Sequence, residues 1–108
     1  MNWINAYEKL VNGKIIESLV SFTRYVIIDN NLYAEKYRIN ENYITEEEKK
    51  GLFREITNFE IENIDIEKEL DRTIKQFLYT SQYSKLKYNN IINNQKTLFT
   101  DDILFSAS

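Results

Sequence analysis

Eleven carboxylates lie between Glu41 and Asp71 against four bases, a net of −7, whereas the rest of the 108-residue chain carries six acids and ten bases. Two chemistries could follow from so dense a set: acid–base or Mg²⁺ work by paired carboxylates, or electrostatic mimicry of a phosphate backbone. The first is disfavoured. The runs close in sequence are Glu46-Glu47-Glu48 and Asp101-Asp102, and adjacent carboxylates on a helix point apart. The chain has no His and no Cys. Thiol nucleophiles, disulfides, zinc sites and imidazole catalysis are thereby excluded, and no Gly-rich phosphate loop or serine elbow is present. The expectation is a protein that is not an enzyme and uses neither metal nor cofactor. Glu46, Glu47, Glu48, Glu60, Glu62, Glu67 and Asp71 are the candidate partner-binding acids. Tyr43 joins them, because eight Tyr exceed what a core of this size needs and Tyr is favoured at interfaces. Tyr33, Tyr37, Tyr79 and Tyr83 complete the set from which a protein contact or a homo-oligomer would draw.

These side chains need elements to position them. Trp3, Ile4, Tyr7, Leu10 and Val11 recur at helical spacing, with Asn2 able to cap and Gly13 able to end the helix. Trp3, the sole Trp, falls on its apolar face. Ile15-Ile16 and Leu19-Val20 are β-rich. Tyr25-Val26-Ile27-Ile28 is a β-branched run ending at Asp29-Asn30-Asn31, which predicts a hairpin returning as one strand from Leu32 to Ile39, with Leu32 and Ala34 opposite Tyr33 and Tyr37. Thr45-Glu46-Glu47-Glu48 reads as a capping box opening a helix to about Thr57, with Leu52, Phe53 and Ile56 inward and Gly51 weakening its middle. Phe59 to Glu62 alternates like a short strand. Asp65 caps a second central helix whose Ile66, Leu70, Ile74, Phe77 and Leu78 form an apolar seam. A strand at Leu98-Phe99 and a helical turn after Thr100 would close the chain. The expected fold is therefore α+β: one domain over 1–108, a small antiparallel sheet with an N-terminal helix and two central helices, residues 40–80 forming an acidic, mainly helical insertion.

Thirteen Asn and fifteen Ile match what an A/T-rich genome encodes, pointing to a low-GC bacterium or its phage. Trp3-Ile4-Asn5-Ala6-Tyr7 leading to Leu10 and Gly13-Lys14, followed by the Tyr25 to Ile28 strand, resembles the opening of the Thoeris anti-defence two-like family of small phage proteins. Phe99-Thr100-Asp101-Asp102-Ile103-Leu104 is similar to that family's closing segment. The resemblance implies a small α+β phage protein that sequesters a cyclic ADP-ribose-type signal without hydrolysing it. Lys14, Arg24 and Tyr25 are the donors and ring nearest to such an anion. Where that family carries a basic pair and then a Trp, however, this chain reads Ile15-Ile16-Glu17-Ser18, so the acidic region ranks first as the working surface.

Together these features predict a phage-type anti-defence protein in the cytoplasm of an infected bacterial host. It would inhibit a CRISPR-Cas-like immune protein by presenting an acidic, Tyr-rich surface to a basic nucleic-acid-binding groove; the alternative is a nucleotide sponge. No apolar run is long enough to span a membrane. Direct nucleic-acid binding, through Lys85, Lys87 and Lys96 with Tyr83 and Tyr88, is disfavoured because three lysines are few for such a site.

Overall fold

The Asn2 side chain accepts from the Asn5 backbone N–H at 3.0 Å, and Gly13 leaves the first helix with φ +82. In the computed structural model, which describes residues 1–57 and 65–83, this helix, α1, spans Trp3–Val11. Strands β1 (Ile15–Ser18), β2 (Arg24–Ile28), β3 (Asn31–Ala34) and β4 (Tyr37–Ile39) follow as a meander. A 3₁₀ turn (Glu41–Tyr43) and helix α2 (Glu46–Lys50) then carry the chain across to β5 (Phe53–Ile56), and α3 (Ile66–Gln82) comes last. The sheet is antiparallel in the order β4-β3-β2-β1-β5. An α+β domain with a small antiparallel sheet, an N-terminal helix and two later helices is what the sequence implied.

Two tight turns shape the meander. Asp29 and Asn30 both take positive φ (52 and 65), as a two-residue hairpin loop between right-twisted strands requires. The returning strand is then broken: Glu35 also adopts positive φ (56), and the chain doubles back after Ala34 so that Ala34 pairs with Tyr37. Leu32 to Ile39 is thus two strands, and Tyr37 lies on the same face as Ala34. Nothing in the residue types announces this turn. What holds it is Glu35 itself, whose carboxylate accepts from Arg72 Nη1 and Nη2 at 2.9 Å and from Gln76 Nε2 at 2.7 Å.

Thr45 caps α2 as expected, its Oγ1 accepting from the Glu48 N–H at 3.2 Å. The helix stops at Lys50, and the predicted run to Thr57 is instead an extended strand from Phe53. Gly51 sits at the junction, where a Cβ would collide with Val20 Cγ2, so it serves close approach to the β1–β2 connection and does not weaken a helix interior. Phe53 and Ile56 are buried, but on opposite strand faces: Phe53 pairs with Ser18 and Ile56 with Ile15. Leu52 is exposed. The stretch 40–80 therefore contributes a strand to the sheet as well as helices. The expected strand at Phe59 to Glu62, and the closing strand and turn after residue 97, lie outside the described residues.

One sheet face carries the core. Ile16, Tyr25, Ala34, Ile39 and Phe53 pack with Ala6 and Leu10 of α1 and with Tyr43 and Ile44, while Trp3, Ile27 and Leu32 flank them. Trp3 packs on Phe53 at 5.4 Å between ring centroids, the core role its helix position suggested. Each large apolar side chain so buried contributes about 1.5–3 kcal/mol. The other face is charged, since period-two alternation turns Glu17, Arg24 and Arg54 away from that core. Helix α3 docks against them.

Candidate functional site

The candidate acids that are described and exposed fall into two patches. Glu46 and Glu47 stand in the first turn of α2, where the positive end of the helix favours them. Glu46 lies 3.8 Å from Lys49 Nζ, and the Glu47 carboxylate, close to the Tyr83 hydroxyl, raises that hydroxyl's pKa. Tyr83 stacks on Tyr79 with centroids 4.7 Å apart, and the Tyr79 hydroxyl meets Thr45 Oγ1 at 2.5 Å. The tip of α2 and the C-terminal end of α3 thus form one acidic, Tyr-bearing corner. Glu67 and Asp71 share a flank near the other end of α3, with Asp71 3.0 Å from Lys75. At about 1.5 Å of rise per residue, residue 67 is roughly 24 Å from residue 83. Glu60 and Glu62 lie outside the described residues.

Three predicted contact residues are withdrawn from the surface, Tyr79 among them. Glu48 is 0% exposed and Tyr43 is buried. Glu48 does not reach back to its own helix cap as a capping box would have it. Its side chain runs under the sheet, where Oε1 accepts from the hydroxyls of Ser21 and Tyr25. An isolated carboxylate could not remain in an apolar core, so these hydroxyls stand in for lost water. The surrounding tyrosines register the burial. Loss of solvent, and next the Glu48 carboxylate, hold the Tyr25 and Tyr43 hydroxyls above the ordinary tyrosine range. Burial chiefly, against the opposing Thr45 hydrogen bond, pushes Tyr79 up to about 12.

A pH dependence follows. In the unfolded chain these tyrosines ionise near their ordinary value of 10.0, but in the fold they stay neutral to higher pH. Their contribution is complete below pH 10 and is lost as pH rises from there through the folded-state values. The melting temperature should fall steeply between about pH 10 and 12, with tyrosinate absorbance of these rings appearing only as the fold melts. Tyr79→Phe should flatten the fall; an unchanged slope would show that Tyr79 titrates alike in both states.

A second buried carboxylate was not singled out from the sequence. Glu17, whose side chain is 3% exposed, meets Arg54 Nη2 at 2.7 Å, and its Oε2 lies 3.7 Å from Arg72 Nε and 4.0 Å from Arg24 Nε. Arg24 Nη2 reaches Glu69 at 2.8 Å, and Arg72 also holds Glu35. Among the described residues, three carboxylates and three guanidiniums thus meet in one network between the charged sheet face and α3. The available signal was combinatorial: Glu17, Arg24 and Arg54 each sit one step out of phase with a core residue, and Glu69, Arg72, Gln76 and Tyr79 recur at helical spacing. Only the strand register brings those sets together.

The chain matches no known protein family, no curated protein and no solved structure. Among the described residues, no group of three carboxylates is placed to hold a metal ion, and no helix is long and apolar enough to cross a membrane. Lys14, Arg24 and Tyr25 do not converge. Arg24 and Tyr25 are successive in β2 and point to opposite faces, Tyr25 into the core and Arg24 into the ion network, while Lys14 is exposed beyond the end of α1. Of the remaining tyrosines, Tyr37 is exposed, and Tyr33 and Tyr83 are half-buried.

Proposed function

We propose that the protein is a non-enzymatic, phage-type anti-defence protein that works by binding, in the cytoplasm of an infected bacterial host. Its target is a nucleic-acid-handling immune protein of CRISPR-Cas type, and its working surface is the acidic corner of Glu46 and Glu47 with Tyr83, extended along α3 by Glu67 and Asp71. The observation that carries this is the exposure of Glu46 and Glu47 beside the Tyr79–Tyr83 ring pair, in a chain whose other carboxylates at Glu17 and Glu48 are consumed inside the fold. Carboxylates held on a rigid helix end can occupy phosphate positions in a basic groove, and matching potentials raise the association rate.

The test begins with capture of the partner from a bacterial lysate and measurement of its affinity. Glu46→Gln, Glu47→Gln, Glu67→Gln and Asp71→Asn together should weaken binding about 10- to 100-fold and flatten its dependence on salt, because exposed charges act through screened fields. An unchanged affinity and salt slope would overturn the proposal. Sequestration of a cyclic ADP-ribose-type nucleotide would require a set of donors other than Lys14, Arg24 and Tyr25. A large thermal shift with such a nucleotide, and no captured protein, would reverse the ranking.

A further inference from the structure

Helix α3 is docked by the wrong face for an amphipathic helix. Glu69, Arg72, Gln76 and Tyr79 point at the body, and the apolar seam points away: Ile66 is 81% exposed, Leu70 61%, Ile74 52%, Phe77 70% and Leu78 61%. Together these side chains expose on the order of 500 Å² of apolar surface on one helix, near the upper limit for the largest patch on a monomer.

We infer that this seam is a homodimer interface, in which α3 packs antiparallel on α3 of a second copy about a two-fold axis at Ile74. Three observations select that occupant. Ile74 is the midpoint of the helix Ile66–Gln82, and Leu70 and Leu78 lie four residues to either side of it. A two-fold through Ile74 therefore sets Ile74 against its copy and each Leu70 against a Leu78. The same register opposes no like charges. Glu67 meets Ser81, Lys68 meets Thr80, Asp71 meets Phe77 and Lys75 meets Thr73. A self-complementary patch of this kind is what a two-fold interface requires. Finally, two such seams would bury on the order of 1,000 Å² in total, about the threshold for a specific interface, and the helix dipoles would oppose one another favourably. A lipid surface fits less well, because the flanks mix both signs and the chain carries a net charge of −3.

The seam borders the proposed working surface at Glu67 and Asp71, but its apolar residues are none of the acids neutralised in the test of that surface, so Ile74→Glu tests association while leaving Glu46, Glu47, Glu67 and Asp71 in place. Sedimentation equilibrium of the full chain should give a dimer at micromolar concentrations, and Ile74→Glu should weaken association at least 100-fold while leaving the monomer folded. The chain has no cysteine, which allows a register test. Ile74→Cys should oxidise to a disulfide-linked dimer, whereas Leu70→Cys and Leu78→Cys should cross-link efficiently only when mixed. A monomer at high concentration, a dimer indifferent to Ile74→Glu, or efficient cross-linking of Leu70→Cys with itself would each overturn the inference. So would unfolding of the monomer by Ile74→Glu, which would show the seam buried within its own chain.

Discussion

Glu17→Ala is expected to destabilise the fold by about 3–5 kcal/mol, because removing one member of a buried ion network strands the others. Arg24, Arg54 and Arg72 would lose the carboxylate they share on the outer sheet face. Urea unfolding followed by Trp3 fluorescence measures the loss. Its location is as informative as its size: amide exchange should rise first in α3, since the core around Ile16, Tyr25 and Phe53 does not depend on the network. Removing both partners is a different experiment. Glu17→Leu combined with Arg72→Met should recover much of the loss, as apolar replacement of buried pairs often does. A loss below about 1 kcal/mol for the single variant would mean that α3 is held by other contacts.

Glu48→Ala should cost about 3–4 kcal/mol, by leaving the Ser21 and Tyr25 hydroxyls without their acceptor and opening a cavity under the sheet. Glu48→Gln keeps the shape and one acceptor oxygen, so it should cost less than half as much. Pairing Glu48→Ala with Tyr25→Phe tests the contact itself: the combined loss should fall short of the sum by about 1 kcal/mol or more. Strict additivity would show that Tyr25 and Glu48 do not interact. These two variants also guard the functional test. Glu48 belonged to the acidic run by sequence, yet changing it alters the interior and the stability of the fold as well as the charge, which is why it is left out of the surface variant set.

The architecture was legible wherever chemistry is local. A capping side chain, a helical apolar repeat or an Asp-Asn turn acts within a few residues, so Asn2, Thr45 and Asp65 marked their helix starts and Asp29-Asn30 the first hairpin. Where local preference was weak, distant partners decided. The segment after Lys50 carries apolar residues at spacings that suit a helix, but β1 offered an unpaired edge, and Phe53 to Ile56 took it. The turn at Glu35 exists because Arg72 and Gln76, far along the chain, hold its carboxylate.

Residue order alone carries the fold class, the helix starts, the lack of thiol and imidazole chemistry and the excess of acid in the middle of the chain. Those are properties of residue types and short spacings. Tertiary structure alone decided which acids remain surface and which become interior. Glu46, Glu47 and Glu48 are consecutive and chemically similar, but a helix turns about 100° per residue, so one of the three must point inward once α2 lies on the sheet. The same geometry inverted the expected role of α3. Carboxylates and arginines of the sheet face claim its polar face, and the apolar face that a sequence would assign to the core is turned outward.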